Sequence, residues 1–202
     1  MKRSKTGLVE ALAFTAAVLA YIWVFRFRAP WTLWLLVAWA AAAGGFHRET
    51  VDSYGLSARR FAQAVVAWRY LWPGALLALG LVLQERIADP QLLARGALYF
   101  SWCCVQQAVH QNLVYRRLRA SVGPDARPWL LSGLIFGLVH WPNPVLVPAT
   151  TFWGAISSYL FERWPSIVAL ALVQLMFSSL LYELTPWEWH HGFRVGPRYD
   201  FP

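Results

Sequence analysis

Gln111-Asn112-Leu113-Val114-Tyr115-Arg116 closes an apolar run that begins near residue 92, and Gln106, Gln107 and His110 stand just before it. In hydrocarbon a polar side chain is costly unless it faces a bundle interior or a hydrated cavity. On a helix Gln107, His110, Gln111 and Asn112 share one broad face. The stretch therefore reads as the inward face of a membrane helix, and the fold as all-α: a polytopic transmembrane helical bundle.

The composition agrees. Of 202 residues, 58% are hydrophobic and 14% charged, against about 25% charged in soluble domains. Thirteen Trp and eight Tyr suit a membrane protein, whose interfaces favour amphipathic rings. The net charge of +8 comes from basic residues in short segments between apolar runs, which is a topological pattern. No basic patch interleaves with a nucleic-acid-binding fold, so no nucleic-acid partner is expected. Cys103 and Cys104 are adjacent in an apolar run; neighbouring cysteines lack the geometry to bridge, and they read as small packing residues.

Working outward, apolar runs compatible with helical spans fall near 7–25, 31–46, 64–83, 92–115, 128–141, 145–161 and 165–182. The expectation is about seven spans, with six or eight as alternatives. The first run follows Lys2, Arg3 and Lys5 but is too long for a signal h-region and lacks a small-x-small cleavage site, so it reads as a retained span. With the N-terminus in the cytoplasm, eleven Lys and Arg fall in inner segments. Six fall outside: Arg26, Arg28, Arg86, Arg95, Arg194 and Arg198. That asymmetry favours N-in, in a bacterial-type inner membrane. Ala29-Pro30, Asp89-Pro90, Gly123-Pro124 and Trp141-Pro142-Asn143-Pro144 mark turns, and residues 54–63 read as an amphipathic piece entering the third span. One membrane domain is expected over 1–202, with N-terminal spans at 7–46, a core at 54–181 and an interfacial tail at 185–202 too polar and Pro-rich to span.

Two further groups carry polar residues into apolar runs. Phe136-Gly137-Leu138-Val139-His140 precedes the Pro-Asn-Pro reversal, and Gln174 and Ser178 lie four apart on the last span, hence on one face. In order and spacing these groups resemble the motifs of the CPBP family, the CAAX-protease and bacteriocin-processing (Abi) membrane proteins. Their Glu-Glu-x-x-x-Arg motif falls on Gln111, Asn112 and Arg116; Phe-x-x-x-His on Phe136 and His140; His-x-x-x-Asn on Gln174 and Ser178. Gly154, Ser158, Tyr159, Arg163, Ser166 and Ile167 follow the course of the helix that comes next in such proteins.

The resemblance implies an intramembrane glutamic endopeptidase in which the second Glu and two His activate a water and an Asn helps hold the oxyanion. This chain departs at the decisive points. A general base must accept a proton from water, and the amides of Gln111 and Asn112 have no basic form near neutral pH. No Asp or Glu occurs between Asp89 and Asp125. Losing the base costs about 10²–10⁴ in rate and losing an oxyanion donor about 10²–10³. Glu10 and Glu183 were the other acids within apolar runs, Glu10 read as a carboxylate snorkelling to the interface and Glu183 as too far along the last span to serve His140.

The expected activity is accordingly non-proteolytic or strongly divergent: binding of a membrane-embedded peptide or lipid-like ligand, with the bilayer and a membrane protein or peptide as partners. The alternative is an active endopeptidase, or another lipid-substrate membrane enzyme, using His140. No cofactor is expected. His110, His140 and His190-His191 lack zinc-like spacing, so no metal is expected, and His190 and His191 read as headgroup-level residues.

Overall fold

A computed structural model describes residues 5–86 and 91–199. The Asp89-Pro90 turn, Lys2 and Arg3 lie outside the described residues. The described chain is helical, with 84% helix and no strand, as the composition requires. Its longer helices are α1 (Lys5–Ala20), α2 (Leu33–Phe46), α3 (Ala58–Ala67), α4 (Trp72–Arg86), α5 (Leu92–Val109), α6 (Arg116–Val122), α7 (Pro128–Leu138), α8 (Leu146–Arg163) and α9 (Ile167–Leu184). Thr6–Arg28 and Ile167–Leu184 are long and apolar enough to cross a membrane; Pro30–Phe46 and Pro128–Leu138 are shorter apolar helices.

The third expected span, 64–83, is not a single rod. Val51–Ala67 and Trp72–Gln84 meet at 95°, and only as a broken span would they count as a third crossing. The cause is Pro73, which has no N–H to give and whose ring excludes the carbonyl four residues earlier, so the helix stops before it. Trp72 Nε1 donates to the Val65 carbonyl at 2.9 Å and stacks on Trp68 at 6.4 Å, which fastens the corner.

The chain forms two compact units. The first comprises Met1–Glu49, Val109–Tyr159 and Trp187–Pro202. Here α1 packs on α6 and on the π-helical segment His110–Tyr115 that precedes it. Ala11, Val114 and Leu118 form one buried cluster, and Phe14, Ala43 and Leu113 another. Lipid tails are as apolar as leucine, so association rests on close van der Waals fit and small residues. Gly7 shows this, since a Cβ there would lie 2.9 Å from Ser121 Oγ and 3.0 Å from the Arg117 carbonyl.

α7 and α8 come closer still. A Cβ on Gly133 would meet the Thr151 carbonyl at 2.5 Å, one on Gly154 would meet Phe136 Cβ at 2.8 Å, and one on Gly137 would overlap Thr151 Oγ1. Gly133 and Gly137 form a Gly-x-x-x-Gly pair on one face of α7, the spacing that lets two membrane helices touch backbone to backbone.

The second unit comprises Thr50–Ala108 and Leu160–Pro186. α4 runs along α9, with Ala75 and Ala78 of α4 and Ala169, Leu170, Ala171 and Val173 of α9 buried. Thr50 and Ser53 form a reciprocal capping box at the helical turn Val51–Tyr54. Asp52 accepts from Ser57, Arg59 and Arg60, fixing the entry to α3. Ser166 caps α9, accepting from Ala169 N at 3.3 Å. Cys103 and Cys104 are free thiols, Cys103 buried.

Candidate functional site

In the first unit the polar groups gather where α5 gives way to the π-helical segment. All six residues from His110 to Tyr115 are buried, so this stretch is packed by neighbouring elements on every side. The wider i→i+5 turn slips the register, and such bulges mark functional positions often. Gln111 and Asn112 are fully buried. Gln111 Nε2 donates to Ser157 Oγ at 3.0 Å, and Ser157 Oγ donates to the Gly154 carbonyl at 3.2 Å.

His110 stands at the centre of a hydroxyl chain. Its Nε2 lies 3.1 Å from Ser132 Oγ and 3.3 Å from Ser158 Oγ, and Ser158 donates to Ser132 at 3.1 Å. A hydroxyl has one proton, so Ser158 gives its proton to Ser132 and Ser132 gives its own to the imidazole. A further hydrogen bond joins His110 to the backbone of Gly154. Phe136 lies between the two histidines, with its ring 4.5 Å from His110 and 5.0 Å from His140. His140 Nδ1 lies 2.6 Å from the Phe136 carbonyl. A carbonyl only accepts, so Nδ1 carries the proton and Nε2 is the basic nitrogen.

Arg116, which ends the first motif, points to different chemistry. Its Nη1 lies 3.7 Å from Glu49 Oε1, and Arg117 Nη2 donates to the same oxygen at 3.0 Å. Arg117 Nε lies 3.3 Å from Glu10 Oε2, and His47 Nε2 lies 3.0 Å from that oxygen. Glu10 is thus ion-paired within the unit, where basic partners satisfy its charge.

In the second unit the third-motif positions are bound into an amide chain. Gln107 Nε2 donates to Gln174 Oε1 at 2.6 Å, and Gln174 Nε2 donates to Gln106 Oε1 at 2.8 Å. Ser178 Oγ accepts from Tyr99 at 2.9 Å and donates to the Gln174 carbonyl at 2.5 Å. These bonds join α5 to α9.

The structure thus buries Gln111, Asn112 and Phe136 in the first unit with His140 half-buried against Phe136, attaches Arg116 to Glu49, and places Gln174 and Ser178 in the second unit. Residues 91–180 match the Rce1-like family of type II CAAX prenyl endopeptidases. The match covers less than half of the chain and agrees with the CPBP resemblance read from the motifs, all three of which lie within it. No curated protein and no solved structure is significantly similar to the chain.

Within the Rce1-like segment, sequence reading left out Ser132 and Ser157. Ser132 had a signal: Ser132, Phe136 and His140 are spaced by four, one face of a helix. Glu49 and His47 lie outside the segment, and neither spacing nor periodicity linked them to Arg116 or Arg117. His190 is buried within the protein, with Nδ1 accepting from Gly192 N at 2.9 Å. Among the described residues no group of three or more His, Cys, Asp or Glu is placed to hold a metal ion.

Proposed function

We propose that this chain is a multi-pass membrane protein of about seven spans, a single membrane domain with a cytoplasmic N-terminus in a bacterial-type inner membrane. In this reading it keeps the polar interior of a CAAX-type endopeptidase without the proteolytic base, and binds a membrane-embedded peptide or lipid-like ligand there. The observation that supports this reading is the full burial of the amides Gln111 and Asn112, which stand where the motif resemblance expects two carboxylates, inside the matched segment 91–180. The two carboxylates of the first unit's ion-pair group, Glu10 and Glu49, are committed to Arg116 and Arg117. An amide can orient a ligand by donating and accepting hydrogen bonds, but it cannot take a proton from water.

The test is retention of ligand. The protein, solubilised from membranes in mild detergent, is analysed for co-purifying lipids and peptides by mass spectrometry beside Asn112→Leu and Gln111→Leu. A species enriched with the native chain and lost from both variants supports the reading. Identical profiles from all three contradict it.

One observation favours a second reading, an active lipid-substrate enzyme or endopeptidase. Ser132 Oγ lies 3.1 Å from His110 Nε2, within the reach that activates a hydroxyl nucleophile, with the imidazole oriented by a third group. Ser132 would attack a carbonyl carbon while its proton passes to His110, which then returns it to the leaving group. Ser132 and Ser158 are fully buried, which weighs toward a hydrogen-bonded core and leaves the binding reading first. A fluorophosphonate probe that labels Ser132 in the native chain and not in His110→Ala would reverse that order.

A further inference from the structure

Four of the six basic residues that oppose the positive-inside asymmetry are Arg26, Arg28, Arg194 and Arg198, and the fold collects them at one end of the first unit. Arg26 and Arg28 form the last helical turn of Thr6–Arg28. Arg194 and Arg198 come from the C-terminal tail, which is docked there. Gly196 N donates to the Trp141 carbonyl at 3.0 Å, and Asn143 Nδ2 donates to the His190 and Arg194 carbonyls at 2.8 and 3.1 Å. Gly196 has φ +78°, and a Cβ there would lie 2.8 Å from Ile22 Cγ2, so only glycine lets the tail lie this close to the first helix.

The result is two guanidiniums on one ring: Arg198 Cζ lies 4.1 Å from the Phe27 centroid and Arg26 Cζ 5.7 Å. Arg26, Arg28 and Arg198 are exposed. Among the described residues no carboxylate pairs with these three, and Glu188 is the one acid in the described part of the tail. Exposed Trp23, Trp187 and Trp189 belong to the same segments, and exposed Trp31 lies just after Arg28.

We infer that Arg26 and Arg198, held on the Phe27 ring, form a binding site for the phosphate of an anionic phospholipid headgroup. A guanidinium resting by its face on an aromatic ring keeps its N–H edge free, and that edge is what pairs with phosphate oxygens. The helix end presents carbonyls rather than N–H groups, so the side chains alone hold the anion. The first helix is apolar enough to cross a membrane, and its aromatic, basic terminus is the interfacial type of segment; the phosphate within its reach is therefore a headgroup's. The site stands apart from the amide and histidine interior and does not depend on its proposed role.

The experiment uses the full chain in dodecylmaltoside with phosphatidylglycerol, phosphatidylcholine of matched acyl chains, or inorganic phosphate, read by native mass spectrometry and by thermal unfolding. The native chain retains phosphatidylglycerol over phosphatidylcholine and unfolds at higher temperature with it. Each arginine changed to glutamine weakens phosphatidylglycerol binding about fivefold, so Arg26→Gln/Arg198→Gln loses most of the preference while Arg198→Lys keeps part. Should the double variant fail to fold, the single Arg26→Gln and a salt titration of the native chain give the same reading, the preference falling as salt rises. No preference in the native chain, a preference unmoved by the substitutions or by salt, or an equal effect from inorganic phosphate overturns the inference.

Discussion

Asn143 is the side chain whose loss the structure predicts in most detail. It is fully buried in the reversal between α7 and α8 and makes four hydrogen bonds to backbone. Its Oδ1 accepts from Val145 N at 3.0 Å and Leu146 N at 2.9 Å, capping α8 with Pro144 in the first position, where no N–H is needed. Its Nδ2 donates to the two tail carbonyls already described. Asn143→Ala removes both halves. A lost cap costs about 1 kcal/mol, and each lost hydrogen bond to a carbonyl costs about 1 kcal/mol or more where water cannot replace it, so the expected destabilisation is about 3–4 kcal/mol. Asn143→Asp separates the halves, since its carboxylate keeps the cap, favoured by the helix dipole, but faces the tail carbonyls with no donor. It is expected to cost about 2 kcal/mol and to free the tail selectively. Unfolding by SDS in mixed micelles gives the free energies, and limited trypsin digestion at Arg194 and Arg198 reports the tail. The reasoning fails if Asn143→Ala is within about 0.5 kcal/mol of the native chain, or if Asn143→Asp leaves the tail as protected as before.

Three more expectations follow from the same structure. Glu49→Ala leaves Arg117, a nearly buried cation, without its closest partner and should cost about 3–5 kcal/mol; adding Arg117→Leu should recover much of that in the same unfolding assay. Gly137→Leu drives a side chain into Thr151 and should cost about 1–3 kcal/mol or more, while a cysteine pair across α7 and α8 that cross-links in the native background should cease to do so. Gln107→Leu, which removes a donor to Gln174, should cost only about 0.6–2 kcal/mol, the range of interhelical hydrogen bonds in membranes, measured by SDS unfolding.

The helices were largely legible in the sequence because lipid demands continuous apolar runs, and most runs became helices near the expected places. The bend after Ala67 was also written there, in Pro73, but an apolar stretch through Val65 and Val66 reads as one span unless the missing N–H is weighed first. The π segment at His110–Tyr115 carries no local sign. It shows only in the backbone of the folded chain, where all six of its residues are buried; that Gln111 and Asn112 share a face was already legible in their spacing. The hydroxyl chain was half visible, Ser132 sharing a face with Phe136 and His140, while its partner Ser158 comes from another helix. The ion pairs of Glu10 and Glu49 with Arg117 join residues more than a hundred and nearly seventy positions apart, a contact that only the fold can make.

The central claim is that amides occupy the place of the proteolytic base. It is met most directly by incubating the purified native chain, reconstituted in liposomes, with a membrane-inserted reporter peptide and with a prenylated CAAX peptide, beside His140→Ala, and measuring cleavage by mass spectrometry. The account predicts no cleavage above that of His140→Ala. Cleavage by the native chain that disappears in His140→Ala would contradict it, because a proton acceptor would then be at work that the amides at 111 and 112 do not provide.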